Sequence, residues 1–157
     1  MVIVNNDLLK TPIKIIAHQV NCQGVMGGGV AKQIKQKYPR VYEFYKAYCC
    51  KTSKELLGDY LAVWNEDHSH LVVNIFGQDN FGRDKVYTDY KALENGFDKF
   101  IKDYRNSHNI MPEIQIPIAI PYKIGCGLAG GDWGPVSIIL DVLEIKYNII
   151  FIAYKLD

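Results

Sequence analysis

No stretch of the 157 residues approaches the roughly 18 consecutive apolar residues that a bilayer-crossing helix needs, so a spanning segment is not expected. Charge of one sign is scarce as well. Eighteen Lys and Arg stand against 17 Asp and Glu, a net charge of +1, which argues against a nucleic-acid partner held mainly by electrostatics. Only four cysteines occur, Cys22, Cys49, Cys50 and Cys126; two are adjacent and none forms a CxxC pair. That pattern points to reduced thiols in a cytoplasmic setting rather than a disulfide framework. The four histidines, His18, His68, His70 and His108, lack ligand spacing to those cysteines, so neither zinc nor any other metal is expected. The first ten residues, MVIVNNDLLK, lack a basic head, a long apolar stretch and a cleavage site, and no secretion signal is expected. Near-neutral charge without a long exposed apolar helix makes a monomer the default.

What is present is an alternation of short apolar runs with helical patterns, with no repeat and no linker. Runs 2–4 and 13–20 read as strands. From Gly28 to Lys37 the period becomes helical, with Val30, Ile34 and Tyr38 on one side. Pro39 then starts a second helix with Val41, Phe44, Tyr45 and Tyr48 as its apolar stripe. Runs 59–65 and 70–76 read as a hairpin. Thr88 is placed to cap a helix whose apolar face is Tyr90, Leu93, Phe97, Phe100, Ile101 and Tyr104. Run 113–120 reads as a buried strand in which Pro117 forces a bulge or one-sided pairing. A helix opening near Asp132 carries Val136, Ile139, Leu140, Leu143 and Tyr147, and 149–154 closes the chain as a strand. The order β-β-α-α-β-β-α-β-α-β implies one α/β domain over 1–157, its mostly parallel sheet covered on both faces.

Two loops depart from ordinary turn chemistry. The first, GVMGGG (24–29), follows a strand and opens a helix, where unpaired N–H groups and the positive end of the macrodipole favour an anion. The second, in IAIPYKIGCGLAGGDWGP (118–135), has the same design, punctuated by Gly125, Gly127, Gly130 and Gly131. Ligands of open α/β sheets sit outside the carboxyl ends of strands, so two such loops on neighbouring strands would clamp a diphosphate. Tight turns alone explain one such loop more easily than two. There is no GxxxxGK[ST], and GVMGGGVA is not GxGxxG with a suitably spaced acid, so neither a P-loop nor an ordinary NAD site is expected.

Taken together the loops resemble those of the macro domain, the ADP-ribose-binding fold. VNCQGVMGGGVA (20–31) is similar to the family's first loop, IPYKIGCGLAGGDW (120–133) to its second, and NNDLL (5–9) stands where the family has a Gly-Asp-Ile-type segment. HQVNC with GGGVA looks most like the yeast-type and phage-type ADP-ribose-1″-phosphate phosphatase branch, which carries a histidine three residues before the loop asparagine. Hydrolases that cut ADP-ribose from acidic side chains often have an aspartate directly after GGGV, where this chain has Ala31. A branch that uses a lysine and an aspartate has the aspartate where Ala129 stands here, and no matching lysine ends the 71–76 run.

The resemblance implies a three-layer α/β/α macro fold with a mixed, mostly parallel sheet of six or seven strands. It further implies that Asp7 accepts from the adenine amino group with Leu8 beside it, and that Asn21 holds the distal ribose. Gly27, Gly28, Gly29 and Val30 line the diphosphate, Ile124, Gly125, Cys126, Gly127 and Leu128 close over it, and Tyr154 stacks on adenine. His18 is the acid–base candidate, by its ordinary pKa near neutrality; its rival is a core histidine bonded to its neighbours. Asp132 is a helix cap that a second acid–base role would add to. Arg83 and Asp84 are loop charges within reach of a terminal phosphate. Cys22 and Cys126 have no base near them and read as packing. The expected activity is metal- and cofactor-independent removal of the 1″-phosphate from ADP-ribose-1″-phosphate. The alternatives are a reader of ADP-ribose or an ADP-ribose-derived signal, and a hydrolase acting on ADP-ribosylated protein or nucleic acid.

Overall fold

The computed structural model describes residues 1–156. Six strands, β1 (Val2–Asn5), β2 (Ile15–Val20), β3 (Tyr60–Trp64), β4 (Leu71–Phe76), β5 (Ile116–Pro121) and β6 (Ile149–Lys155), form one sheet in the order β1-β6-β5-β2-β4-β3. Every neighbouring pair is parallel except β3–β4, which is the hairpin the sequence predicts. Five helices accompany it: α1 (Gly29–Lys37), α2 (Pro39–Tyr48), α3 (Ser53–Leu56), α4 (Tyr90–Ser107) and α5 (Trp133–Tyr147). The sheet is thus six-stranded, mixed and mostly parallel.

Side chains alternate between the faces of a strand, and the core divides accordingly. Ile15 and Ala17 of β2 join Val73, Ile75, Ile118 and Phe151 under Leu93, Phe97 and Ile101 of α4 and Leu140 and Leu143 of α5. On the other face, Val20, Val72 and Phe76 meet Ile34 of α1 and Val41 and Tyr45 of α2. The buried stripes of α4 and α5 are those the periodicity predicts. Gly96, in the middle of α4, is needed for close approach: a Cβ there would lie 2.5 Å from Ile75 Cγ2 and 3.0 Å from the Asp59 carbonyl oxygen. Packing against the sheet offsets its poor helix propensity.

Four details differ from the sequence reading. The side chain capping α4 is Asp89, which accepts from the Ala92 N–H at 3.0 Å; Thr88 is turned to another task. Phe44 leaves the α2 stripe and is 50% exposed, with the Arg40 guanidinium 5.0 Å from its ring centre. The 3-10 turn Leu8–Lys10 and the short helix α3 carry too few residues to show a period. Pro117 causes no bulge: β5 keeps continuous register with β6, from Ile116↔Ile149 to Pro121↔Tyr154, while its register with β2 is the single pair Ile16↔Ala119. The one-sided pairing is therefore what the missing donor produces.

Topology fixes where a ligand can go. Chain leaving β2 turns to α1 on one face; chain leaving its neighbour β5 turns to α5 on the other. Adjacent strands whose connections part in this way leave a crevice beyond their carboxyl ends.

Candidate functional site

A cavity of about 460 Å³ opens in that crevice, a size suited to a small-molecule ligand. Three loops line it, following the adjacent strands β2, β4 and β5. Residues 21–28 contribute Asn21, Val25, Gly27 and Gly28; the 77–89 segment contributes Gln78, Phe81, Gly82 and Arg83; residues 122–132 contribute Ile124, Gly125, Gly127 and Leu128. The two glycine loops touch, since a Cβ on Gly28 would lie 2.6 Å from Leu128 Cδ1.

The first loop is built on Asn21. Its Oδ1 accepts from the N–H of Gln23 (3.0 Å) and Val25 (3.4 Å) and from the Tyr45 hydroxyl (2.8 Å), while Nδ2 donates to the Val25 carbonyl (2.8 Å). This is the Asx turn that asparagine favours, and it occupies the acceptor side of the carboxamide. One Nδ2 proton is left for a ligand, so Asn21 can donate to a ribose hydroxyl but has no acceptor to spare. Gly24 and Gly29 take φ of +75° and +57°, which side chains rarely adopt. Gly28 occupies the N-cap of α1 and supplies no side-chain cap, whereas Thr52, Asp89 and Asp132 cap α3, α4 and α5. The N–H groups of residues 27–31 therefore have no acceptor among the described residues.

In the second loop, Cys126, Gly130 and Gly131 donate to the carbonyls of Lys123, Gly127 and Gly125, and the N–H groups of residues 127–129 have no acceptor among the described residues. The 77–89 segment ties both loops together. Its Asp79 carbonyl accepts from Cys22 N–H (2.9 Å), and its Tyr87 and Thr88 N–H groups donate to the Ala129 carbonyl. Thr88 Oγ1 donates to the Gly125 carbonyl (2.6 Å) and accepts from Gln19 Nε2 (2.9 Å), which also reaches Gln78 Oε1 (2.9 Å). Sequence reading put Arg83 and Asp84 of this segment within reach of the phosphate but did not identify the segment as a wall. The signal was available: it follows the carboxyl end of a strand and carries two glycines and two aromatics, Phe81 and Tyr87, but no period marks it.

His18 lines the cavity yet is 1% exposed. Its Nε2 lies 2.6 Å from Asn74 Oδ1, and Asn74 Nδ2 donates to the Leu61 carbonyl at 3.0 Å. Asn74 Oδ1 is thereby an acceptor, which assigns the proton to Nε2 and leaves Nδ1 a bare lone pair with no partner. Burial without an adjacent carboxylate pushes the pKa from 6.5 down to about 4, the Asn74 bond opposing this only in part. The ring is neutral at pH 7, with the Nδ1 lone pair free.

Among the described residues no carboxylate lines the cavity, and its charged side chains are Arg83 and Lys123. Arg83 makes no ion pair or hydrogen bond among the described residues. Neighbouring Asp84 instead accepts from the Tyr87 hydroxyl at 2.5 Å. Asp7, Leu8, Cys126, Asp132 and Tyr154 lie outside the lining. Asp7 caps the 3-10 turn through the Leu9 N–H (3.0 Å) and borders a second recess with Gln33, Gln36 and Lys37. Asp132 caps α5 through Gly134 N–H (3.4 Å). The Tyr154 hydroxyl shares a 2.6 Å hydrogen bond with Thr11, and its ring packs with Leu8 and Ile16. Burial pushes the Cys22 thiol up to about 12 and raises that of Cys126, so both stay protonated and neither is an activated nucleophile.

A family model described as "Macro domain" matches residues 17–140. An ADP-ribose 1″-phosphate phosphatase of Debaryomyces hansenii is 32% identical, with 94% of this chain and 91% of that protein covered. One of Saccharomyces cerevisiae is 26% identical, over 94% of this chain and 92% of that protein. A solved structure of Thermosipho africanus DarTG in complex with ADP-ribose superposes with a TM-score of 0.76 at 23% identity, covering 97% of this chain and 40% of that one.

Proposed function

Because the chain belongs to the macro domain family, we propose that its cavity binds ADP-ribose-1″-phosphate and releases the terminal phosphate. The observation that carries this reading is the buried, unpartnered Nδ1 of His18, a residue that lines a cavity to which no carboxylate among the described residues contributes. The names of the yeast relatives support the same substrate.

The free N–H groups of residues 27–31 and 127–129 would hold the diphosphate from two sides. With the adenosine diphosphate end fixed, the terminal phosphate is positioned, and orientation supplies part of the barrier reduction. Arg83 pairs with the phosphoryl oxygens, which carry the charge that develops in phosphoryl transfer. A water oxygen bonds to phosphorus while the bond from phosphorus to the C1″ oxygen breaks. His18 Nδ1 takes the water's proton and returns it to the leaving ribose oxygen, giving ADP-ribose and inorganic phosphate. Asp132, committed to the α5 cap, takes no step.

The reader alternative draws on the near-complete burial of His18. The ADP-ribosyl hydrolase alternative has less support, since Ala31 and Ala129 stand where the corresponding branches place acids. Phosphate release from ADP-ribose-1″-phosphate by wild type and His18→Ala decides among them. The proposal expects release by wild type and a loss of at least about 100-fold in the variant, the usual scale of a general base. Binding of ADP-ribose by both proteins without release by either establishes the reader.

A further inference from the structure

The net charge of +1 conceals a sharp partition. Residues 29–54, which span α1, α2 and the start of α3, hold seven Lys and Arg and one acid, Glu43, a net +6; the other 131 residues hold eleven Lys and Arg and sixteen acids, a net −5. Lys32, Lys35, Lys37, Arg40, Lys46, Lys51 and Lys54 are all exposed, and among the described residues none of the seven forms an ion pair. Helices α1 and α2 cover one face of the sheet, so this charge belongs to one side of the molecule. Glu55 and Asp59 lie near Lys51, and Lys37 donates to the Leu9 carbonyl; the charge that remains on α1 and α2 sets up a local field that attracts a polyanion.

Aromatic rings are interleaved with the cations. Lys35 Nζ sits 4.2 Å from the centre of the Tyr42 ring, Lys51 Nζ 4.1 Å from that of Tyr48, and the Arg40 guanidinium 5.0 Å from that of Phe44. The surface also reaches the cavity. Gly29, Val30 and Ala31 line it and Lys32 follows, while Lys46 Cγ packs 3.9 Å from the Cβ position of Gly24 in the first loop.

We propose that the α1–α2 face docks single-stranded nucleic acid, in a path leading to the cavity mouth. Exposed lysines neutralise successive phosphates, and the exposed Phe44 ring beside Arg40 gives an unpaired base a stacking surface. A bilayer surface fits less well, because Phe44 is the single large apolar side chain exposed on this segment. The proposal does not depend on the phosphatase reading, since docking is measured without turnover.

Fluorescence anisotropy with a labelled single-stranded oligothymidine tests it. Four phosphate contacts give a slope of log Kobs against log[salt] of about −3, an affinity loss of about fifty-fold between 50 and 200 mM salt. The double variant Lys35→Glu, Lys46→Glu should lower the slope by about 1.4 and weaken binding at least about tenfold. Calorimetric binding of ADP-ribose should be unchanged in it. The control Lys91→Glu, Lys99→Glu carries the same net charge and should bind the oligonucleotide as wild type does. Equal weakening in both doubles overturns the proposal. So does wild-type binding without salt dependence, which is readable even if the α1–α2 variant fails to fold. Equally tight capture of polyglutamate or of phosphatidylserine vesicles also overturns it.

Discussion

Replacing His18 by glutamine tests whether the ring is held neutral in the fold. Glutamine keeps a donor for Asn74 Oδ1 and has nothing to titrate between pH 4 and 7. In the native protein the pKa of His18 is pushed from 6.5 to about 4 by burial. Between those values the unfolded chain binds a proton at this site and the folded chain does not, so stability rises with pH. The contribution of His18 is therefore intact above pH 6.5 and is lost as pH falls towards 4. At about 1.4 kcal/mol per unit, the loss between pH 7 and pH 4 is about 3 kcal/mol, a large part of a small domain's stability. Urea denaturation of both proteins in half-unit steps from pH 4 to 7 measures it. The other three histidines are common to both proteins and cancel in the difference. The wild-type minus variant stability should fall by about 3 kcal/mol over the interval. Parallel curves would refute the reasoning, because His18 would then titrate alike in folded and unfolded chains. The same shift predicts that, with the rate expressed per substrate dianion to remove the phosphate's own titration at about pH 6, kcat/KM stays flat from pH 8 to 5 and halves near pH 4; a remaining inflection near 6.5 would contradict a buried base.

Three other substitutions probe separate parts of the site. Arg83→Ala should raise KM for ADP-ribose-1″-phosphate about tenfold, the loss of a charge-assisted hydrogen bond, while Kd for ADP-ribose stays the same; equal losses for both ligands would remove Arg83 from the terminal phosphate. Gly127→Val should weaken ADP-ribose by at least about tenfold at an unchanged thermal midpoint, since Gly127 lines the cavity and a Cβ there meets nothing within 4 Å; calorimetry with differential scanning fluorimetry reads both. Thr88→Val removes the hydroxyl that joins Gln19 to the Gly125 carbonyl, and urea denaturation should show a loss of about 1–3 kcal/mol from the unsatisfied partners.

The sheet and its long helices were legible because burial leaves a period. Leu93, Phe97, Phe100 and Ile101 recur on one side of α4, and β2 and β4 are mostly apolar, interrupted by His18 and Gln19 in one and Asn74 in the other, because both their faces are covered. The glycine loops were legible because residues such as Gly24 and Gly125 mark backbone shapes that side chains resist. Misplacing the α4 cap by one residue reflects chemistry that Thr88 and Asp89 share; only the folded chain shows Thr88 bonded to Gly125 instead. Phe44 misled because its spacing fits the stripe, while packing selects Val41 and Tyr45. The third cavity wall has no period, so its part is visible only once β4 ends beside β2. The fate of Asn21 was half legible: the turn-forming and ligand-holding uses of a carboxamide look alike in sequence, and three donors on Oδ1 are a fact of the fold. Charge was misread for another reason, since a sum over 157 residues cancels +6 against −5.

Titration calorimetry of ADP-ribose against AMP bears most directly on the central claim, that two facing rows of backbone N–H groups hold a diphosphate. ADP-ribose should bind at micromolar Kd, and AMP, which has neither a diphosphate nor a second ribose, at least about 100-fold more weakly. No heat with ADP-ribose, or equal affinity for AMP, would contradict the account.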